Sequence, residues 1–239
     1  MGSSAADLTS RLLRHERLLV AGSVVLLSGL SWIYLVRGMR MGAMQPPLTA
    51  LILMWWLMMV AMMLPSATPA ILLYARVRRN RGSGAAIAEP WVFLAGYLAV
   101  WLIFSIAVAL GQALLTGPSM SSSGRMAQGA LLVAAGLYQL SPLKSACLGQ
   151  CRSPAQFISR HWRAGWDGAM RLGVLHGAYC VGCCWMLMAL LFVGGVMNLL
   201  WVVALAVLVA TEKLVPYGDW LGRAAGLALV LWGASKALG

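Results

Sequence analysis

Long runs of apolar residues follow one another along this chain, and basic residues or short polar segments separate them. A helix that crosses a bilayer needs about 20 predominantly apolar residues. By that criterion the pattern predicts seven spans, all helical because a helix satisfies its own backbone hydrogen bonds in lipid. The predicted spans are residues 18–36, 48–74, 91–115, 127–143, 171–194, 197–215 and 219–237. The sequence thus predicts an all-α, polytopic transmembrane helix bundle, with residues 1–239 forming a single integral membrane domain.

The distribution of Lys and Arg predicts the orientation of the bundle, because cytoplasmic loops carry an excess of these residues. With a cytoplasmic N-terminus, 14 of the 18 Lys and Arg residues lie on the inner side. The chain is therefore predicted to be N-in and C-out. Residues 1–17 then form a cytoplasmic segment, and residues 144–170 form a connector at the inner surface.

Composition supports a membrane protein and argues against a nucleic-acid-binding one. The chain is 61% hydrophobic and only 10% charged, whereas soluble domains are about 25% charged. The net charge of +12 comes from basic residues that flank the apolar runs, so we assign it to topology and lipid headgroups. The expected partners include the lipid bilayer and exclude nucleic acid.

The fifth predicted span contains an unusual set of metal-binding residue types. At about 100° per residue, one arc of the helix surface holds His176, Cys180, Cys183, Cys184 and Met188. Imidazole, thiolate and thioether donors suit a soft metal ion, and ionisable groups at membrane depth indicate function. A single cysteine would be read as a small packing residue, but three on one arc with His and Met favour a metal site.

Small residues on the same face of this span predict close helix packing. Gly173 and Gly177 form a G-x-x-x-G pair, a pattern that lets helix backbones approach one another. By the same angular count, both glycines share the face of Cys180 and Cys184. We therefore expect the thiols to press against a neighbouring helix.

The second predicted span is rich in methionine. Met58 and Met62 are four residues apart, and Met59 and Met63 form the adjacent row. A thioether is a soft donor without charge, although methionine also fills irregular packing gaps. If the second and fifth spans run in opposite directions, both clusters lie near the middle of the membrane and can meet.

Three further residues near the inner surface are candidates for chemistry. Cys147 and Cys151 are four residues apart, so on a helix both sulfurs could bind one ion, form a redox pair or simply occupy a connector. Glu212 lies at the inner end of the sixth span, where it could neutralise a cation, relay protons or pair with Lys213 or Arg223. An enzyme is not expected, because the chain has no phosphate-binding glycine loop, no HExxH motif, and only six acidic residues and three histidines.

Four motif blocks together carry a resemblance to a known family. They are Met54, Trp55, Met58, Ala61, Met62, Met63, Pro65 and Pro69; Cys147, Cys151, Arg152 and Pro154; Gly177, Cys180, Gly182, Cys183, Cys184, Trp185, Met188, Gly195, Met197 and Asn198; and Glu212, Lys213, Pro216 and Gly218. The chain resembles a bacterial family of unknown function, described as predicted metal-binding integral membrane proteins. That resemblance implies a multi-pass protein of the bacterial inner membrane with a metal site.

The leading hypothesis is a membrane protein that binds Cu(I), or another soft ion, between the second and fifth spans for metal handling or transport. Cys180, Cys183 and Cys184 are the expected primary ligands, and His176 is expected to guard the inner mouth. The other predicted site residues are Met58, Met62 and Met188 as weak relay ligands, Cys147 and Cys151 for capture or release, and Glu212 nearby. A membrane protein or a soluble metal carrier is the expected partner.

Two other hypotheses remain open from the sequence. In the first, the protein is a membrane thiol–disulfide oxidoreductase in which Cys180 and Cys183 form the active pair, and Cys147 and Cys151 form a shuttle pair. In the second, the protein is a non-catalytic assembly subunit of a membrane complex, and its cysteines are merely packed.

Overall fold

The computed structural model describes residues 2–41, 47–80, 88–115, 124–196 and 198–238, and every regular element in these ranges is a helix. This confirms the predicted all-α class. The helices are α1 (Gly2–Met41), α2 (Leu48–Asn80), α3 (Glu89–Leu115), α4 (Gly124–Gln139), α5 (Pro142–Arg152), α6 (Pro154–His161), α7 (Gly165–Ala189), α8 (Leu191–Gly194), α9 (Leu199–Leu214) and α10 (Gly218–Leu238).

Within the described ranges, four segments are long and apolar enough to cross a membrane. They are Leu18–Arg37, Leu48–Arg79, Glu89–Leu114 and Gly165–Gly194. A fifth is added if α4 and α5 count as one broken span. Helix α9 has only 16 residues, fewer than the roughly 20 that span a bilayer. The structure therefore supports four to five spans, and the count of seven and the N-in/C-out orientation stay predictions.

The fourth predicted span, residues 127–143, differs from the structure at its end. Helix α4 stops at Gln139, and α5 leaves it at an angle of 60°. The local chemistry explains the break, because Pro142 lacks an N–H and starts a new helix at its first turn. The Ser141 side chain caps that helix by accepting a hydrogen bond from the Lys144 N–H at 3.2 Å. The predicted connector, residues 144–170, is consequently largely helical.

Glycine contacts hold α4 against α10. A Cβ on Gly136 would lie 2.6 Å from the carbonyl oxygen of Gly226, and one on Gly129 would lie 2.9 Å from that of Gly233. Residue numbers rise along α4 from Gly129 to Gly136 while those of their partners on α10 fall from Gly233 to Gly226, so the two helices are antiparallel. Only residues without a side chain allow backbones to approach this closely.

The predicted G-x-x-x-G pair packs α7 against α3. A Cβ on Gly173 would overlap the Phe93 carbonyl, and one on Gly177 would lie 2.9 Å from the Cβ of Val100. Both contacts follow the same direction along the two helices, which are therefore parallel. The expectation that this face of the cysteine-bearing helix is closely packed is confirmed.

Helix α2 runs antiparallel to both α3 and α7 in the core. The Trp55 indole donates to the Gln112 side chain at 2.7 Å, and Tyr97 near the other end of α3 donates to the Met63 carbonyl at 3.3 Å. Trp55 near the start of α2 packs on Phe192 of α8, just beyond the end of α7, with ring centroids 5.3 Å apart, and Met63 further along α2 contacts Cys184 within α7. Pro65 and Pro69 both lie inside α2, which continues past them as one helix. This arrangement brings the methionine row and the cysteine face to the same level.

Candidate metal site

The three cysteines of α7 lie in the interior of the bundle. Cys180, Cys183 and Cys184 are each about 1% exposed. The Cys184 thiol donates to the Met63 sulfur across a distance of 3.7 Å. Sulfur donors from α2 and α7 therefore meet in space.

Two of these thiols are hydrogen-bonded to their own helix. The Sγ of Cys183 lies 3.1 Å, and that of Cys184 2.9 Å, from the carbonyl oxygen of Cys180. Such bonds satisfy a buried polar side chain locally. Among the residues that the structure describes, no group of three or more His, Cys, Asp or Glu side chains is arranged to hold a metal ion. The thiols would therefore have to rotate away from the backbone to ligate one.

Lys213 of α9 enters this sulfur cluster, which the sequence did not predict. Its Nζ lies 2.9 Å from the Cys180 sulfur, 3.3 Å from Ser66 Oγ and 3.9 Å from the Met63 sulfur. The side chain is buried, and a buried ammonium needs a counter-charge or hydrogen-bond partners. The one signal for this role in the sequence is that Lys213 lies at the end of an apolar run, where a charged residue is unusual.

Cys180 is the residue on which these contacts converge. Besides Lys213, it is hydrogen-bonded to the hydroxyl of Tyr97 on α3 at 3.2 Å. The Lys213 ammonium places a positive charge against this sulfur, and the thiolate is the form of cysteine that binds metal. Helices α3, α7 and α9 thus meet at one sulfur atom.

The two cysteines of α5 occupy different positions relative to this cluster. The Cys151 thiol lies within side-chain interaction range of Cys180 and Cys183. Cys147 is one helical turn away beside Gly182, where a Cβ would lie 2.8 Å from the Cys147 sulfur. All five cysteines are free thiols. The structure therefore adds Cys151 to the cluster and leaves Cys147 at its edge.

His176 lies one turn before Cys180 and is only 2% exposed. Its ring packs among three aromatic rings, with centroid distances of 5.9 Å to Phe93, 5.8 Å to Tyr97 and 5.3 Å to Phe157. Its Nδ1 is buried without a hydrogen-bond partner in the described part of the chain. Buried nitrogens are rarely left unpaired, so this atom retains its capacity as a ligand.

The predicted methionines are buried, but another methionine makes the contact. Met58, Met62 and Met188 are each at most 2% exposed. The contact with Cys184 is made by Met63, from the row next to Met58 and Met62. The rotation of α2 about its axis selects that row. The ligand roles of the three predicted methionines stay predictions.

Glu212 belongs to a separate buried cluster. Its carboxylate accepts from Lys144 Nζ at 2.5 Å and from the side-chain amide of Gln139, and Lys144 also donates to Gln139 at 2.5 Å. The pair with Lys213, one of the options left open by the sequence, is not formed. Successive residues point about 100° apart on a helix, which sends Glu212 toward α5 and Lys213 toward α2.

Comparison with known protein families shows which family this chain belongs to. Residues 52–235 match the PpoB2 family, which is described as copper chaperone. The chain belongs to the PpoB2 family. No curated protein and no solved structure matches it.

The match associates this PpoB2 family member with copper. It confirms the metal-related part of the resemblance, whereas the bacterial inner-membrane location stays a prediction. The matched residues include all five cysteines, Met63 and Lys213. The sulfur cluster therefore lies wholly inside the part of the chain that defines the family.

Proposed function

We propose that this protein binds Cu(I) between α2 and α7 and delivers it to another protein. The contact between Met63 and Cys184 carries the proposal, because it joins soft donors from two helices at 3.7 Å. The copper chaperone description of the PpoB2 family supports copper as the cargo. It also favours delivery over transport across a membrane.

The donor atoms at the cluster fit Cu(I). Thiolates and thioethers are the ligands that this ion prefers in proteins. Cys180, Cys183 and Cys184 supply the thiolates of the proposed site, and Met63 supplies a thioether. The one acidic side chain predicted for the site, Glu212, is engaged by Lys144. That pairing leaves sulfur as the dominant donor.

The thiols could exchange backbone for metal contacts at modest cost. Each thiol hydrogen bond to the Cys180 carbonyl is a weak one, and the carbonyl retains its place in the helix ladder. Rotation of Cys183 or Cys184 about χ1 would free the sulfur from the carbonyl oxygen of Cys180. Burial of the cluster excludes water, which protects Cu(I) and thiolates from oxidation.

The remaining predicted residues fit a path to and from this site. Cys147 and Cys151 lie on α5, where both are half-buried, so they would receive or release the ion. His176 would act between α5 and the cluster through its unpaired Nδ1. Met58, Met62 and Met188 would act as weak relay ligands.

The proposal includes a location in the bacterial inner membrane, with the N-terminus inside. Support comes from the four or five helices that are long and apolar enough to cross a bilayer. Many large apolar side chains also face outward, including Ile103, Leu114, Leu200 and Leu231 at 68–82% exposure. Such a surface is stable in lipid and not in water. The partner would be a soluble metal carrier or a membrane enzyme that uses copper.

Copper content of the purified protein tests the proposed function. Wild-type protein is expressed with copper, purified in detergent under reducing conditions and analysed for metals. We expect copper in the wild type and its loss in Cys180→Ser/Cys183→Ser. The matched control is Met126→Leu, which removes an exposed sulfur on α4 and should retain copper. Unchanged copper in the double variant would contradict the site.

The same samples distinguish the oxidoreductase hypothesis. Alkylation of cells before lysis traps the thiol state of Cys180 and Cys183. A copper carrier should show reduced thiols throughout. An oxidoreductase should show a reversible disulfide, and its copper content should not change when these two cysteines are replaced.

A further inference from the structure

Lys213 is a buried cation whose described contacts are sulfurs and a hydroxyl. The carboxylates of Glu212, Glu89 and Asp219 are paired with Lys144, Arg78 and Arg152, respectively. In the described part of the chain no carboxylate pairs with Lys213, and its shortest contact is with the Cys180 sulfur at 2.9 Å. Its natural counter-charge is therefore a thiolate of the proposed copper site.

Sulfur donors alone do not exclude the commonest competing ion. Clusters of three or four cysteines, with or without histidine, are also the usual structural sites for Zn(II). Divalent ions of the first transition series compete for such sites, so selectivity among metals requires a feature beyond the donor atoms. The cluster of Cys151, Cys180, Cys183 and Cys184 needs such a feature if copper is its cargo.

We propose that Lys213 is this feature: its positive charge beside Cys180 makes the site prefer monovalent Cu(I) over divalent Zn(II). The inference rests on the proposed function and names the residue that determines its ion specificity. Repulsion from the ammonium scales with the charge of the entering ion, so Zn(II) is penalised twice as much as Cu(I).

The expected size of the effect follows from Coulomb's law. One additional unit of charge at roughly 4 Å, with an effective dielectric constant of about 20, corresponds to roughly a 1000-fold change in binding constant. Relaxation of the flexible lysine side chain reduces this value. We expect the preference for Cu(I) over Zn(II) to change by at least about 30-fold when the charge is removed.

The test measures the ratio of the two affinities in variants of Lys213. The full-length protein in detergent is titrated with Cu(I) and, separately, with Zn(II), each buffered by a chelator of known affinity. Lys213→Met and Lys213→Gln remove the charge, while Lys213→Arg retains it. Lys236→Met, near the end of α10, is the control for loss of a lysine outside the site. Size-exclusion profiles identify variants that remain folded.

We expect Lys213→Met and Lys213→Gln to gain Zn(II) affinity relative to Cu(I), and Lys213→Arg and Lys236→Met to keep the wild-type ratio. An unchanged ratio in a folded neutral variant overturns the inference while the proposed function stands. Loss of selectivity in Lys213→Arg as well as in the neutral variants also overturns it, since a structural role would then explain the effect. A wild-type protein that binds no Cu(I) refutes the proposed function first.

Discussion

The sulfur of Met63 lies 3.7 Å from the sulfur of Cys184, and this contact links α2 to α7 at the centre of the bundle. Met63 also touches Lys213, and its carbonyl accepts a hydrogen bond from Tyr97. It is therefore in contact with three neighbouring helices. A role in copper binding and a role in packing can be separated by changing its sulfur without changing its size.

Met63→Leu should weaken Cu(I) binding while leaving the fold intact. Leucine has nearly the volume of methionine, so the change in unfolding free energy should stay below about 1.5 kcal/mol. Loss of one thioether ligand should lower Cu(I) affinity about tenfold, equivalent to about 1.4 kcal/mol. Chelator competition measures the affinity. Met126→Leu, which changes an exposed methionine outside the site, is the matched control. An equal or larger loss of affinity in Met62→Leu than in Met63→Leu would show that the other methionine row holds the ion.

Gly173→Ala should destabilise the packing of α7 on α3. A Cβ at this position would overlap the backbone carbonyl of Phe93, which cannot move as a flexible side chain can. Overpacking of this kind typically costs about 1–3 kcal/mol. The measurement is thermal unfolding in detergent. Gly111→Ala on α3 is the control, because nothing lies within 4 Å of its added Cβ; a Gly173→Ala protein as stable as that control would refute the close contact.

Glu212→Gln should destabilise the protein but leave its copper content unchanged. The substitution leaves the buried Lys144 ammonium without its carboxylate, and breaking a buried ion pair costs about 3–5 kcal/mol. Denaturant unfolding and metal analysis of the folded fraction give the two readouts. Asp219→Asn breaks an ion pair with a carboxylate that is 61% exposed, so its effect should be within about 1 kcal/mol. Loss of copper from the folded Glu212→Gln protein would contradict this expectation and indicate that Glu212 is a copper ligand.

Local features of the structure could be anticipated because helical geometry acts over a few residues. The shared face of Cys180, Cys183 and Cys184 follows from the pitch of the helix, and so does the packing face that includes Gly173 and Gly177. The break before Pro142 has a local signal too, because a proline preceded by a serine is typical of a helix start. The apolar run through residues 127–143 instead predicts one continuous helix, which is wrong at this point.

The helical class, the apolar segments and the cysteine face of α7 can be predicted from the residue pattern, since each depends on neighbouring residues along one helix. The contact of Cys184 with Met63 rather than with the predicted Met58 or Met62 is visible only in the packed bundle, because the rotation of α2 depends on everything packed around it. The same packing decides that Lys213 joins Cys180 while Glu212 joins Lys144. Adjacent residues on one helix point in different directions, and only the positions of the other helices determine what each side chain reaches.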